Sequence, residues 1–254
     1  MTQKTALITG ASSGIGLATA HKLSSEGYQL ILIARRHNKL RDLADNLAVD
    51  CHVIACDVND HEQLSNELSA LPEQFSNIDL LLNNAGLALG LSSADKTQWD
   101  DWQTMIQTNC MSLAFITRQI LPNMVKRNRG HIICIGSTAG NYAYKGGNVY
   151  GATKAFVGQF SANLRTDLLG TGVRVTNLIP GLIGETEFSN VRFNGDDTAA
   201  DAVYANCDAL KPGDIAETIS WVAGQPAHVN INHIEIMPTC QAPAGLAVDK
   251  TMLS

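Results

Sequence analysis

At 254 residues the chain has room for one sizeable α/β domain rather than two, and 45% hydrophobic with 17% charged residues exclude a disordered polymer. Eighteen basic against 24 acidic side chains give a net charge of −6, which argues against nucleic acid or an anionic membrane as partner, because Lys and Arg hold both. No apolar run approaches the roughly 18 residues of a membrane span. Met1-Thr2-Gln3-Lys4 leads directly into a strand, so the expectation is a cytoplasmic protein without a leader peptide.

The first elements are an apolar run, Thr5 to Thr9, a helix-compatible stretch, Gly14 to Ser25, and a second apolar run, Leu30 to Ala34. The alternation continues with a helix near Asn38 to Leu47, a strand His52 to Ala55, a helix near Asp60 to Leu71 and a strand at Leu80 to Leu82. A long helix around Trp99 to Lys126, a strand His131 to Ile135, a helix from about Tyr150 to Leu168 and a strand Val173 to Leu178 follow. Residues 182–212 break the rhythm and read as a substrate loop or lid. A helix near Asp214 to Ala223 and a strand near His233 to Met237 close the series. Such alternation, with strands near-continuously apolar, predicts a doubly wound parallel sheet of seven strands with helices on both faces, in one domain over 1–254.

The six cysteines (Cys51, Cys56, Cys110, Cys134, Cys207 and Cys240) form no close pairs, so reduced thiols and no metal site are expected. Trp99, Trp102 and Trp221 read as packing residues.

The first strand runs into Thr9-Gly10-Ala11-Ser12-Ser13-Gly14-Ile15-Gly16 and then a helix. Glycines there permit a tight turn and let backbone N–H groups approach a pyrophosphate at the positive helix end. After the second strand come Arg35 and Arg36, where an NAD site would carry an acid; guanidinium pairs with a 2′-phosphate, so NADP(H) is the expected cofactor. Asp57-Val58 follows the third strand and suits the adenine edge. Asn83-Asn84-Ala85-Gly86 ends the fourth strand at the carboxyl edge of the sheet, where small residues leave room for a ribose.

Tyr150 and Lys154 stand four apart on a helix and so share a face; the ammonium is expected to favour the ionised phenol and tune it for acid/base work. Ser137, closing the fifth strand, can donate a hydrogen bond to a carbonyl oxygen beside Tyr150.

Thr9 to Gly16, Asn83 to Gly86, Asn109, Ser137, Tyr150 and Lys154, in this order, resemble the short-chain dehydrogenase/reductase family over nearly the whole chain. The resemblance implies a Rossmann-type fold, a catalytic tetrad of Asn109, Ser137, Tyr150 and Lys154, and a homotetramer. It implies that Tyr150 gives a proton to the carbonyl oxygen as hydride reaches the carbon, that Lys154 also bonds the nicotinamide ribose, and that Asn109 holds a relay water. Gly10, Ser12 to Gly16, Asn84 to Gly86, Pro180, Gly181, Ile183 and Thr186 would contact the cofactor. Thr186 lies one residue further from Pro180 than the threonine of the wider family.

The stretches Asn83 to Gly90, Gly146 to Val157 and Thr186 to Phe193 are most similar to the NADP-dependent 3-hydroxy acid dehydrogenases, which act on serine, allo-threonine and 3-hydroxypropionate or malonic semialdehyde. Such a substrate needs a cation for its carboxylate. Arg192 is the preferred anchor because guanidinium pairs with carboxylate in two parallel bonds, and Lys145 is the second candidate. A broad carbonyl reductase or 3-oxoacyl thioester reductase shares every motif but the anchor. A catalytically silent NADP sensor would not need Ser137 or Tyr150.

Overall fold

The computed structural model describes residues 3–243. Seven strands form one sheet: β1 Thr5–Thr9, β2 Gln29–Ala34, β3 Cys51–Ala55, β4 Ile78–Asn83, β5 Gly130–Ile135, β6 Val173–Pro180 and β7 His233–Ile236. Their spatial order is β3-β2-β1-β4-β5-β6-β7, and every pairing is parallel. The order reverses between β1 and β4, which opens a crevice at the carboxyl ends of those strands.

Nine α-helices lie among the described residues. They are α1 Gly14–Ser25, α2 His37–Asp45, α3 His61–Ser69, α4 Trp99–Ile106, α5 Ser112–Lys126, α6 Asn148–Asp167, α7 Phe188–Arg192, α8 Asp197–Ala202 and α9 Pro212–Ala223. Because strand side chains alternate faces, β1 sends Leu7 into a core with Leu64 of α3, Ile116 of α5 and Val157 of α6. Its neighbours Ala6 and Ile8 enter a second core with Leu23 of α1, Leu40 of α2 and Ile219 of α9. Leu7 and Ile8 are fully buried, each gaining roughly 1.5–3 kcal/mol by leaving water. This burial on both faces explains why the central strands read as near-continuous apolar runs.

Three features depart from the sequence reading. The single long helix over 99–126 is two helices joined by a π-helical turn, Gln107–Met111, that carries Asn109. Trp99 and Trp221 are exposed on the outer faces of α4 and α9, and only Trp102 is half-buried, so the packing expectation holds for one of three. Cys207 is bonded to Cys240 across 33 residues, tying the end of the 182–212 segment to the stretch after β7. Cys51, Cys56, Cys110 and Cys134 are free thiols, as expected. Among the described residues no helix is long and apolar enough to cross a membrane, and no cluster of potential metal ligands occurs.

The 182–212 segment is more ordered than a plain loop. Its base is closed by a parallel bridge between Ile183 and Leu210, and α7 and α8 lie within it. Ser189 and Tyr204 share a 2.6 Å hydroxyl hydrogen bond, and Asn190 Nδ2 donates to Asp197 at 2.6 Å, so the two short helices form one body.

Candidate active site

The glycine turn joins β1 to α1. Gly10 and Gly14 adopt φ of 68° and 52°, the left-handed region that favours glycine. A Cβ on Gly16 would strike the Gly10 carbonyl oxygen, so the turn closes too tightly for any side chain. Ser13 forms no side-chain cap on α1, which leaves the first-turn amides open to an anion. Asn84 Nδ2 donates to the Thr9 carbonyl at 2.8 Å, while Thr9 Oγ1 accepts from the amides of Asn84 and Ala85 at 3.0 and 2.9 Å. The ends of β1 and β4 are thus fastened on either side of the crevice.

A cavity of about 400 Å³ lies between this turn and the 182–212 segment, lined in part by Ser12, Ser13, Gly14, Lys39, Thr186 and Glu187. Thr186 reaches over the turn: a Cβ on Gly14 would sit 3.4 Å from its methyl group. Arg36 points into the same region, with its guanidinium Nε and Nη2 donating to Ser12 Oγ at 3.2 and 3.0 Å, whereas Arg35 is exposed. A glycine cradle, an uncapped helix end and two adjacent arginines fit a dinucleotide carrying a 2′-phosphate. Asp57 is half-buried, accepting from the Asn59 amide at 2.9 Å, and Val58 is buried in the core beside it. On the far side, Pro180 ends β6, Gly181 donates its amide to the Ile236 carbonyl, and Ile183 bridges to Leu210 at the base of the 182–212 segment.

Asn109, Ser137, Tyr150 and Lys154 gather at the carboxyl ends of β4 and β5. Ser137 follows β5 and accepts from the Ala139 amide at 3.1 Å. The short turn Thr138–Gly140 is pressed onto α6 at Gly140 and Gly151, where a Cβ would approach backbone atoms at 2.7 and 2.9 Å, and this seats Ser137 beside Tyr150. Lys154 Nζ donates to the Ile135 carbonyl at 2.9 Å and lies 5.9 Å from the Tyr150 ring centre. Buried Asn109 donates to the Leu87 carbonyl at 2.8 Å and Thr153 Oγ1 at 3.0 Å, and accepts from the Leu87 amide at 2.9 Å. A Cβ on Gly86 would lie 3.2 Å from Asn109 Oδ1 and 3.5 Å from Lys154 Nζ, so Gly86 touches both side chains.

The electrostatics differ from the expected pairing. Burial pushes the Tyr150 phenol up to about 12, Ser137 and Arg192 working against it. Burial pushes Lys154 down to about 8. In this state the phenol is a neutral proton donor at pH 7, and Arg192 is the cation whose field lowers it. Arg192 lies 5.5 Å from the Tyr150 ring centre; its Nη2 donates to Tyr144 Oη at 2.7 Å and its Nε to the Gly90 carbonyl at 3.2 Å. Lys145 is exposed on the preceding loop. The sequence reading missed Tyr144, which holds the guanidinium, and Phe188, 5.8 Å from the Tyr150 ring. It also missed Lys39 and Glu187, which form an ion pair at the cofactor end. Only three-dimensional closure of the 182–212 segment connects these residues to the motifs.

Residues 4–197 match the short chain dehydrogenase family. The chain belongs to that family. NADP-dependent 3-hydroxy acid dehydrogenase YdfG of Salmonella typhi is 54% identical over 245 residues, covering 96% of this chain and 99% of the relative. Sulfoacetaldehyde reductase of Chromohalobacter salexigens is 49% identical over 245 residues, covering 95% and 96%. Among solved structures, the closed form of serine dehydrogenase complexed with NADP+ is similar at 51% identity and a TM-score of 0.96, covering 97% of this chain and 100% of that one. In the short-chain dehydrogenase fold the seven-stranded sheet order and the crevice between β1 and β4 are thereby accounted for.

Proposed function

We propose that this short-chain dehydrogenase is an NADP(H)-dependent oxidoreductase of small 3-hydroxy acids, of the serine, allo-threonine and 3-hydroxypropionate or malonic semialdehyde class. The observation that carries the substrate reading is Arg192, whose guanidinium lies 5.5 Å from the Tyr150 ring. A 3-hydroxy acid places its hydroxyl and carboxylate a few bonds apart, so one molecule can reach the Tyr150 phenol and the guanidinium together. A sulfonate separated from an aldehyde by one methylene has the same spacing as the carboxylate of malonic semialdehyde, and the likeness to sulfoacetaldehyde reductase supports it as a second substrate class.

When bound, NADPH supplies the hydride to the carbonyl carbon. Tyr150 holds the proton that passes to the carbonyl oxygen, and Ser137 Oγ donates a hydrogen bond to the same oxygen. Lys154, pushed down by burial to about 8, donates to the Ile135 carbonyl and, by family resemblance, bonds the nicotinamide ribose. Asn109 fixes the backbone at Leu87 and, by family resemblance, orders a relay water. In the oxidative direction the phenolate must form, and the charge of Arg192 favours it.

Gly10, Ser12, Ser13, Gly14, Ile15 and Gly16 form the pyrophosphate cradle in this reading. Arg35 and Arg36 take the 2′-phosphate, and Asp57 with Val58 takes the adenine edge. Asn84 to Gly86 meet the ribose, Pro180, Gly181 and Ile183 the carboxamide, and Thr186 covers the phosphates. Residues 182–212 act as a lid within one domain. The family resemblance supports a cytoplasmic homotetramer, which light scattering on the purified protein checks.

The deciding experiment is a panel of serine, 3-hydroxypropionate, sulfoacetaldehyde and an uncharged ketone with both NADP and NAD couples, read as absorbance of reduced nicotinamide. The reading requires higher kcat/KM for the anionic substrates and for NADP. Equal turnover of the ketone favours a broad carbonyl reductase, and cofactor binding without turnover of any substrate favours the sensor.

A further inference from the structure

Glu187 stands at the start of α7, next to Thr186 over the glycine turn. Its carboxylate accepts from Arg36 Nη1 at 2.8 Å and from Lys39 Nζ at 3.0 Å. The remaining edge of the Arg36 guanidinium is turned to Ser12, on the turn itself. Burial raises the Glu187 carboxyl, but hydrogen bonds from Lys39 and Arg36 outweigh it and hold the group below the ordinary carboxylate range. Glu187 is therefore ionised at neutral pH and pairs with both cations.

We propose that Glu187 is an internal competitor of the cofactor's 2′-phosphate for Arg36 and Lys39, so that closure of the lid and binding of the phosphate draw on the same two charges. This rests on the placement of the 2′-phosphate at Arg36 under Proposed function, and it adds Lys39 and Glu187 to that subsite. A phosphate dianion entering beside Ser12 needs the donors that Glu187 uses, and a carboxylate within a few ångströms of it repels it. Because α7 and α8 are bonded to each other through Ser189, Tyr204, Asn190 and Asp197, releasing Glu187 frees the lid as a unit rather than one side chain. Glu187 thus limits the affinity for phosphorylated cofactor and returns the lid to its latched position when that cofactor leaves.

The test uses calorimetric titration of the full-length protein with 2′,5′-ADP and with 5′-ADP, which lacks the 2′-phosphate, at low and high salt. Wild type, Glu187→Gln and Arg36→Ala are compared. Glu187→Gln is expected to bind 2′,5′-ADP roughly 1.5- to fivefold more tightly at low salt, the range for one partly exposed charge, with a smaller gain at high salt. Its 5′-ADP affinity stays at the wild-type value, which also reports an intact fold. Hydrogen exchange over 186–204 in the ligand-free variant is expected to rise as the latch is lost. Unchanged or weaker 2′,5′-ADP binding, or a gain shared equally by 5′-ADP, overturns the competition. Wild-type 2′,5′-ADP affinity in Arg36→Ala would instead overturn the phosphate placement itself, so the two failures are distinguishable.

Discussion

Replacing Arg192 by Ala separates recognition of a charged substrate from the chemistry beside it. In the structure the guanidinium lies over two aromatic rings, 5.6 Å from Tyr144 and 5.5 Å from Tyr150, and its Nε and Nη2 are held by Gly90 and Tyr144. One edge of the fork is thereby fixed while Nη1 is free of protein hydrogen bonds among the described residues. A charge-assisted hydrogen bond contributes about 1.5–3 kcal/mol. At 1.4 kcal/mol per factor of ten, its loss should reduce kcat/KM for serine or 3-hydroxypropionate roughly 10- to 150-fold. A neutral ketone does not use the cation, so its kcat/KM should change less than about threefold, the residue of a slightly higher Tyr150 phenol. Arg192→Lys keeps the charge but not the fork and should recover only part of the loss. Initial rates with both substrates at saturating NADP(H) measure the split, and near-ultraviolet circular dichroism checks that α7 has not moved. Equal losses for hydroxy acid and ketone would refute the carboxylate anchor and make Arg192 a part that only positions Tyr150.

Three other perturbations follow from the geometry. Gly16→Ala forces a methyl group onto the Gly10 carbonyl, so it should cost roughly 1–3 kcal/mol of stability and abolish tight NADPH binding, read by thermal melting and by fluorescence of the bound nicotinamide. Asn109→Ala orphans the half-buried Leu87 amide and carbonyl, about 1 kcal/mol for each, and at 2–4 °C per kcal/mol for a chain of this size should lower Tm by several degrees while reducing kcat more than it raises KM. Lys154 is depressed from 10.5 to about 8 in the folded state, so between those values the unfolded chain binds more protons and stability from this group rises with pH. Tyr150 works in the opposite sense: raised from 10 to about 12, it adds stability below pH 10 that is lost as pH rises toward 12. Denaturant titrations of wild type and Lys154→Met should therefore show Met stabilising most at pH 7–8, with the difference shrinking by pH 10; a constant difference would contradict a desolvated ammonium.

What the sequence made legible and what it hid divide along a physical line. Burial on both sheet faces makes Leu30 to Ala34 and Ile132 to Ile135 unbroken apolar runs, and the close approach of Gly16 to the Gly10 carbonyl leaves no room for a Cβ, so strands and glycine turn are written locally. Ser137, at a strand end, and Tyr150 with Lys154, one helical turn apart, stood out locally, whereas Asn109 entered only through the family resemblance. The π-helical turn at Gln107–Met111 was not legible, because the partner of its Asn109, Leu87, lies 22 residues away in sequence and no local pattern marks the contact. Nor was the raised phenol of Tyr150: four-residue spacing puts Lys154 on its face, but burial and the Ile135 carbonyl claim the ammonium, and the nearer guanidinium comes from a helix more than forty residues away. The same reason hid the counter-ion of Arg36. The net charge of −6 describes the exterior, whereas the crevice gathers Arg36, Lys39, Lys154 and Arg192 within reach of bound anions. Of these four, two are already matched with Glu187, so on the proposed placement of the 2′-phosphate at Arg36 the charge left for a cofactor depends on segment 182–212 as much as on the glycine turn.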